Sequence, residues 1–503
     1  MRLTVADIFS DHMVLRHSRP DPVWGTAEPG ARVCVHLGDS RTDCTADAGG
    51  RWLAWIDAPE AGTVTALTVE SEGERVAFRD VACGEVYLAG GQSNMEQPLM
   101  CMEGALPWAQ SAAGSDVRLK RIPRRCGRAP EPGWHFFPDE GADSPWTRAD
   151  RLSAARFSAI GYVFAAKLSA RLGLPVGVIE CNWGGTMIQP WMSPEDIRAG
   201  ADTRADLEAF LAAREALGDE AQAAYDRYVT TVRRAAANEP DYVENDLADP
   251  LNFLREDQGI AFVPFGAVGD PQLPGGLWES MIRRVSPYAL NGVLWYQGEA
   301  NSSRGEAERY GGLFRRMAES WRKAWMDPAL PFLTCQLAGF DTTIYWNDRA
   351  DWPMLRARQQ ACADQLRGVS MAVLIDIGME KNIHPLYKEP VAERLFRLAL
   401  EDVHGIPSDA RAPRPASAER TGGGVRLRFD GPLCLRRGEL PALTANGQPI
   451  PCRVAQTEPR TLLIAADGVP DAVAYAQRDW LIPGLYGQNA LPVAPFLIPL
   501  SAP

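Results

Sequence analysis

The chain has 503 residues, of which 46% are hydrophobic and 23% charged, and its 52 basic and 64 acidic side chains give a net charge of -12. This composition is typical of a soluble globular protein with one large core and two or three domains. Because no excess of positive charge exists to attract phosphate, the sequence predicts neither a nucleic acid nor an anionic membrane as a partner. No apolar run reaches the roughly 18 residues of a membrane span.

The first residues of the chain bear on its cellular location, and the spacing of its cysteines bears on whether it holds a structural zinc. Asp7 and Asp11 lie where a signal peptide needs an unbroken apolar core, which predicts a cytoplasmic chain. A periplasmic or secreted location stays open if the chain is a trimmed form. The ten cysteines show no C-x-x-C and no Cys/His ligand spacing, so no structural zinc and no cofactor is predicted. Cys181 and Cys335 lie in apolar runs and are predicted to be small buried hydrophobes.

The two ends of the chain have β patterns. In residues 1–83, strand-like segments at 32–37, 52–56 and 63–69 are separated by turn clusters, which predicts a small β-sandwich-like module. Residues 411–503 show a similar pattern and are predicted to be a second β-rich region, serving as a packing partner or a substrate platform.

From residue 84 to 410, strands alternate with helices. The predicted strands are 86–89, 176–180, 292–296, 332–337 and 371–376, and the predicted helices are about 157–172, 277–288, 310–321, 354–366 and 389–403. An irregular stretch at about 98–150 and a helical insertion at about 196–245, interpreted as a lid or buttress, interrupt the alternation. Five strand–helix repeats predict an α/β fold with a parallel sheet, right-handed crossovers and helices on both faces.

Polar or glycine features follow four of these strands. Ser93 follows the first strand, Gly184 and Gly185 the second and Gln297 the third, while His384 lies in the exit loop of the fifth. Ligands of parallel sheets bind outside the carboxyl ends of the strands, so these features predict a site at one edge. For Ser93 alone, the alternative is a residue that only caps the next helix.

The residue types at this edge fit a serine hydrolase. A serine hydroxyl needs a base within hydrogen-bond reach, and histidine has the pKa for that task near neutrality. Of the six histidines, only His384 lies on a post-strand loop of the predicted sheet. The N–H of Ser93, an N–H of Gly184 or Gly185 and the amide of Gln297 are candidate donors to an oxyanion. For Gln297 and the nearby Glu299, a solvated turn is the alternative.

Six motifs occur in chain order, from about residue 7 to about residue 496. They are D-I-F-S-D-H-M-V-L, G-G-Q-S-N-M-E, N-W-G-G-T, W-Y-Q-G-E-A-N, D-I-G-M-E-K-N-I-H-P and L-Y-G-Q-N-A-L-P-V-A-P-F. Together they resemble the sialate O-acetylesterase family of SGNH-type (GDSL-like) carbohydrate acetylesterases. The resemblance implies a flavodoxin-like three-layer core with β-rich flanks, and an enzyme that removes O-linked acetyl groups from sugars.

The resemblance also assigns roles to residues. Ser93 matches the nucleophile, His384 matches the base, and Gln297 with the two glycines matches the oxyanion donors. The predicted substrate contacts are Gln92, Asn94, Met95, Trp183, Trp295, Glu299 and Asn301. Trp183, Trp191, Trp295 and Tyr296 are candidates for stacking on sugar rings, with the protein core as the alternative.

Two departures from the family pattern concern the site. Lys381 and Asn382 stand where relatives carry the aspartate that orients the histidine. Glu380, Asp376 and Glu299 are therefore candidates for this acid, and a Ser–His dyad is the alternative. Gln97 stands where relatives tend to have tryptophan, which predicts an altered sugar subsite.

The implied substrate is an acetylated glycan, either a sialate or a plant cell-wall polysaccharide. The acidic chain favours a neutral glycan over sialic acid, whose carboxylate would prefer a local arginine. Two other hypotheses stay open at this point. One is a non-catalytic carbohydrate-binding protein on the same fold, and the other is a hydrolase of another acyl ester or of an N-acetyl group.

Overall fold

The computed structural model describes residues 2–126, 144–224, 226, 265–346 and 349–501. The helices are α1 Ser93–Glu96, α2 Ala105–Ser111, α3 Arg151–Ala155, α4 Ala159–Leu172, α5 Pro194–Ala199, α6 Ala201–Leu217, α7 Arg283–Val285, α8 Arg304–Ala324, α9 Thr343–Trp346, α10 Trp352–Gln365 and α11 Glu389–Asp402. A π-helical turn, Trp278–Ile282, leads into α7, and 3₁₀ turns occur at Leu99–Cys101, Ala112–Gly114, Gln189–Trp191 and Glu299–Asn301.

Strands occupy both ends of the chain and alternate with helices between them, so a mixed α/β fold is confirmed. They are β1 Thr4–Val5, β2 Val14–Arg16, β3 Pro20–Thr26, β4 Arg32–Leu37, β5 Ser40–Thr45, β6 Arg51–Asp57, β7 Val64–Ser71, β8 Glu74–Gly91, β9 Val117–Arg121, β10 Thr147–Arg148, β11 Val176–Asn182, β12 Gly292–Tyr296, β13 Phe332–Cys335, β14 Val369–Ala372, β15 Pro415–Thr421, β16 Gly424–Phe429, β17 Leu433–Leu435, β18 Ala442–Ala445, β19 Gln448–Ile450, β20 Cys452–Glu458, β21 Thr461–Ala466, β22 Ala472–Tyr475, β23 Leu485–Gly487 and β24 Phe496–Pro499.

The chain forms two compact units. The first comprises Met1–Gln297, Leu313–Phe332 and Leu386–Phe396, and the second comprises Gly298–Gly312, Leu333–Pro385 and Arg397–Pro503. The division into domains at 83/84 and 410/411 stays a prediction.

In the first unit, β8 is one continuous strand that belongs to two kinds of sheet. Its first half pairs antiparallel with β7, and its second half pairs in parallel with β11 and β12. Exposed and half-buried residues fill the first half, whereas every residue from 81 to 91 is buried, as expected for the centre of a parallel sheet. The predicted boundary at 83/84 therefore lies inside a strand rather than in a linker.

The parallel part of this sheet runs in the order β9, β11, β8, β12, and β10 pairs antiparallel at its edge. Strand β9 corrects the sequence analysis, which places residues 117–121 in the irregular stretch. Its alternate charged residues are the physical reason, because charges usually indicate a solvated segment. Here Arg118 donates to the carbonyls of His12 and Asp80, and Lys120 donates to those of Asp7 and Ser144.

The opening motif D-I-F-S-D-H-M-V-L is anchored to the same edge. The Trp146 indole N–H donates to the Ile8 carbonyl at 2.9 Å, and the Trp146 backbone N–H donates to the Ser10 hydroxyl at 2.8 Å. His12 Nδ1 donates to the Asp80 carboxylate at 2.6 Å. These contacts give the first motif a structural role.

Parts of two predicted segments lie outside the described residues. They are residues 127–143 of the irregular stretch and 227–264, which include the end of the helical insertion. The described part of the insertion consists of α5 and α6, and Arg316 on α8 binds Asp202 on α6 through two hydrogen bonds of 2.7 and 2.8 Å. This contact joins the described part of the insertion to α8, and its role as a lid or a buttress stays a prediction.

In the second unit, β13 and β14 are neighbours, and the Gln336 N–H donates to the Ala372 carbonyl at 2.9 Å. The predicted fifth strand, 371–376, is shifted, because β14 ends at Ala372 and residues 373–376 follow it without strand geometry. The C-terminal region forms antiparallel sheets β15-β16-β21-β20 and β19-β18-β22-β24 over an apolar core. That core includes Val425, Leu427, Leu462, Ile464 and Val473.

All ten cysteines are free thiols. Cys181 and Cys335 are 0% and 2% exposed, which confirms that they are buried.

Within the described ranges, no helix is both long and apolar enough to cross a bilayer.

Candidate active site

Ser93 lies where β8 ends and α1 begins. Gly91 has a φ of +129°, and a Cβ at this position would clash with the Tyr296 carbonyl oxygen, so glycine is needed here. The Gln92 N–H donates to that carbonyl at 3.0 Å, and the Gln97 N–H then closes α1 on the Ser93 carbonyl at 2.8 Å. The N-cap of α1 is Gln92, and Ser93 is its first helical residue. Ser93 is therefore not the helix cap that the alternative interpretation required.

The whole turn is buried. Ser93 is the most exposed residue from 92 to 97, at 8%, and the next, Gln92, is 3% exposed. The start of α4 supports the turn, since the Ser158 hydroxyl donates to the Met95 carbonyl at 2.6 Å. Gln97, which departs from the family pattern, is fully buried and donates to the Cys101 carbonyl at 2.8 Å. Its side chain closes the next turn rather than lining an exposed subsite.

The two glycines after β11 have different environments. Gly184 is buried, and its N–H donates to the Glu96 carboxylate at 2.5 Å. Gly185 is exposed, has a φ of +71°, and accepts a 2.7 Å hydrogen bond on its carbonyl from the Gln272 amide. Of the two predicted oxyanion donors, the N–H of Gly184 is therefore already bound by Glu96.

Hydrogen bonds bring three predicted parts of the site together in the first unit. The Trp183 N–H donates to the Gly91 carbonyl at 3.1 Å, which joins the turn after β11 to the end of β8. The Gln297 amide donates to the Thr186 carbonyl at 3.2 Å, which joins the end of β12 to the same turn. Ser93, the glycine turn and Gln297 thus share one sheet edge.

The aromatic candidates for sugar stacking lie in the core. Trp183, Trp191, Trp295 and Tyr296 are between 0% and 2% exposed. Trp295 packs edge-to-face against Trp191 and Trp321, with ring centroids 6.1 and 5.6 Å apart. This burial favours the core alternative for all four rings, and Met95, at 0% exposure, is buried as well.

A buried group of charges lies behind the Ser93 turn. Arg124 Nη2 is 3.0 Å from Glu96 Oε1 and 3.8 Å from Glu180, and Arg121 is 3.2 Å from Glu180. Burial raises the pKa of Glu96 to about 7, although the Arg124 charge and the Gly184 N–H oppose this rise. Sequence reasoning missed Arg124, because its segment reads as an irregular arginine-rich loop.

Lys388 is a second residue that sequence reasoning missed, since a lysine before a helix usually indicates a solvated side chain. It is 1% exposed, and its ammonium donates to the Asn94 side chain at 2.5 Å, next to Ser93. The Glu103 N–H also donates to the Leu386 carbonyl at 3.0 Å. Between these two anchored positions, Tyr387 is 46% exposed. The chain four residues after His384 is therefore fixed beside the Ser93 turn.

His384 lies in the second unit, on a half-buried loop. Asn382 holds this loop from both sides. Its Oδ1 accepts from the His384 N–H at 3.0 Å, and its Nδ2 donates to the His384 carbonyl at 2.8 Å. Asn382, which stands where relatives carry an acid, thus shapes the backbone that presents the imidazole.

The three candidate acids lie in the same unit as His384. Glu299 is 2% exposed, and Asn301, in the same 3₁₀ turn, is fully buried and donates to Glu306 at 2.9 Å. Glu380 is exposed, and its carbonyl accepts from the Asp341 N–H at 2.9 Å. Asp376 lies near Tyr475, whose pKa is raised by burial and, to a smaller extent, by nearby charges that include Asp376.

Comparisons with known proteins agree with the resemblance. Residues 254–380 match the family described as carbohydrate esterase, sialic acid-specific acetylesterase. The sialate O-acetylesterase of Rattus norvegicus is 24% identical, over 98% of this chain and 93% of its own, and that of Homo sapiens is 24% identical, over 78% and 69%. The crystal structure of a carbohydrate acetylesterase from Xanthomonas citri covers 98% of this chain and 99% of its own, at 28% identity and a TM-score of 0.75. The predicted family resemblance is confirmed.

Proposed function

We propose, from this likeness to sialate O-acetylesterases, that the protein is a serine carboxylic-ester hydrolase that releases acetate from an O-acetylated carbohydrate. The observation that carries the proposal is the family similarity over nearly the full chain, combined with a serine held on a sharp strand-to-helix turn. Such a turn gives a nucleophile a fixed position at the edge of a parallel sheet.

We assign the nucleophile to Ser93 and the base to His384. The Ser93 Oγ attacks the acetyl carbonyl carbon while His384 takes its proton, and His384 then protonates the sugar oxygen as the ester bond breaks. Water then attacks the acetyl carbon while the His384 imidazole takes one of its protons. As the bond to Ser93 breaks, the imidazole gives this proton to the Ser93 Oγ, and acetate leaves. The negative oxygen of each tetrahedral intermediate is bound by the Ser93 N–H, a glycine N–H of the 184–185 turn and the Gln297 amide.

The residue that orients the imidazole belongs to the same proposal. Glu299, Asp376 and Glu380 are its candidates, and a Ser–His dyad is the remaining arrangement. Buried Glu299 and Asn301 with Gln92 and Asn94 are the proposed substrate contacts. A flavodoxin-like SGNH core with a five-stranded parallel sheet is the fold in which we place these residues.

The proposed substrate is a neutral acetylated glycan. The net charge of -12 disfavours a substrate that carries its own carboxylate, such as a sialoside. Acetate release from acetylated xylan, xyloglucan, pectin and sialosides, compared at equal acetyl concentration, ranks these substrates. A higher rate with the sialosides would contradict this part of the proposal.

Ser93→Ala and His384→Ala test the chemistry, with p-nitrophenyl acetate and an acetylated oligosaccharide as substrates. Each variant should lose at least about 10³-fold in kcat, because both groups take part in the same bond-making step. Ser111→Ala, at an exposed serine at the end of α2, is the matched control and should keep wild-type activity. If the wild type and Ser93→Ala are equally inert while both bind the oligosaccharide, the protein is a binding module and the proposal fails.

A further inference from the structure

Glu96 connects two parts of the site that are far apart in sequence. It lies on α1, three residues after Ser93, and is 2% exposed. One carboxylate oxygen accepts the Gly184 N–H at 2.5 Å, and the other lies 3.0 Å from Arg124 Nη2. A single buried carboxylate thus joins the helix that carries Ser93 to the glycine turn after β11.

We propose that Glu96 is a positioning residue for acetyl transfer: it holds the Gly184 N–H and thereby fixes the 184–185 turn, so that Gly185 rather than Gly184 donates to the oxyanion. This inference rests on the function proposed above. A turn of two glycines has many accessible conformations, whereas an oxyanion donor must be held to a fraction of an ångström. Exposure agrees with the assignment, because Gly185 is open to a ligand and Gly184 is buried.

Glu96 links the 184–185 turn to α1, and two further contacts hold the turn from elsewhere. Gln272 holds the Gly185 carbonyl at 2.7 Å, and Gln297 holds the Thr186 carbonyl at 3.2 Å, but both contacts come from other segments. Loss of the Glu96 contact would therefore let the turn shift relative to the Ser93 hydroxyl while its remaining bonds stay intact. Such a shift should reduce kcat more than substrate binding.

The charges that face Glu96 come from the neighbouring strands and from the segment after β9. Arg124 pairs with both Glu96 and Glu180 on β11. Arg121 on β9 pairs with Glu180. Arg124 also donates from Nε to the Asn182 carbonyl at 3.3 Å. Two guanidinium groups therefore oppose two carboxylates, and burial still raises the pKa of Glu96 to about 7. The ionised carboxylate binds an N–H more strongly than the neutral acid, so the turn should be held best above this pH.

Stability and activity should consequently respond to pH in opposite directions. The pKa of Glu96 is raised in the folded protein from its ordinary 4.5 to about 7. Its contribution to stability is therefore fully present below the ordinary pKa and is lost as pH rises through about 7. Activity gains from the same ionisation. Protonation of Glu96 below about pH 7 should therefore make the acid-side fall of kcat steeper than it would be without this carboxylate.

The experiment compares Glu96→Gln, Glu96→Ala and the control Glu180→Gln. Glutamine keeps the size and an acceptor oxygen for Gly184 but loses the charge, and alanine removes the acceptor. Glu180 is equally buried, and its ion-pair partners are Arg124 and Arg121. We measure kcat and KM for p-nitrophenyl acetate from about pH 5 to pH 9, together with thermal unfolding.

We expect Glu96→Ala to lower kcat about 100-fold, the cost of one misplaced oxyanion donor, with KM within about 3-fold. Glu96→Gln should lower kcat about 10-fold and make the acid-side slope of log kcat shallower than in the wild type, while Glu180→Gln keeps the wild-type slope. If Glu96→Ala does not fold, the isosteric Glu96→Gln still decides through its pH profile.

Two results would overturn the inference. Equal losses of kcat in Glu96→Gln and Glu180→Gln would show that the charges only stabilise the fold, and an unchanged acid-side slope in Glu96→Gln would remove the positioning role. A wild type without Ser93-dependent activity would overturn the proposed function and this inference together. A wild type with such activity leaves the inference to be decided by the Glu96 variants.

Discussion

The turn that carries Ser93 and the loop that carries His384 are held by different means. The Ser93 turn is buried, neighbouring segments and α4 bind its backbone, and its own Glu96 carboxylate binds the Gly184 N–H. The His384 loop is half-exposed, and the side chain of Asn382, two residues away, binds both sides of its backbone. In the first region, stability and activity should therefore fall together, whereas in the second, activity should fall at little cost in stability.

Gly91→Ala should have the largest effect on stability. An alanine would need a φ of +129° and would clash with the Tyr296 carbonyl, so we expect a loss of about 3 kcal/mol or more in the free energy of unfolding, with no measurable activity. Urea unfolding and acetate release check both. Gly104→Ala is the matched control, since Gly104 has a φ of +76° with open space around it and should cost only about 1 kcal/mol. Equal losses in the two variants would mean that the turn is not constrained as described.

Asn382→Ala tests the His384 loop, the second region of the comparison. It removes two hydrogen bonds to the His384 backbone on a half-exposed loop, so the free energy of unfolding should fall by only about 1–2 kcal/mol. We expect kcat to fall about 10- to 100-fold, because the imidazole loses its fixed orientation. Asn382→Asp keeps the acceptor for the His384 N–H and should recover part of kcat. A large fall in melting temperature with unchanged kcat would reverse the contrast between the two regions.

Tyr387→Ala should have the smallest effect, and only on large substrates. Tyr387 is 46% exposed and precedes Lys388, which binds Asn94 next to Ser93, so we expect its ring to stack on a sugar of a large substrate. We expect KM for an acetylated oligosaccharide to rise about 3- to 10-fold. Activity on p-nitrophenyl acetate and the melting temperature should stay unchanged, and Tyr387→Phe should restore the wild-type KM. An equal effect on both substrates would argue against a sugar contact.

Sequence reasoning located the strands that lead into the predicted site well, and the contacts that support them poorly. The strands before Ser93, Trp183 and Gln297 were predictable, because each is a short apolar run that ends at glycine or polar residues. Strand β9 was not predictable, since its arginine and lysine heads find buried carbonyl acceptors from distant segments. The tryptophans beside the motifs were assigned to sugar stacking or to the core with equal reason, and burial favours the core.

What the amino-acid sequence determined by itself was local: where strands end and where the chain must turn. Two glycines after an apolar run specify a sharp turn without any distant residue. Tertiary structure alone decided which buried charges meet and which glycine N–H is already bound. Glu96 and Gly184 are 88 residues apart, and Asn94 and Lys388 are 294 apart. Such pairs leave no periodic signal in the chain, because Glu96 or Lys388 alone resembles an ordinary solvated side chain and the partner is far away in sequence.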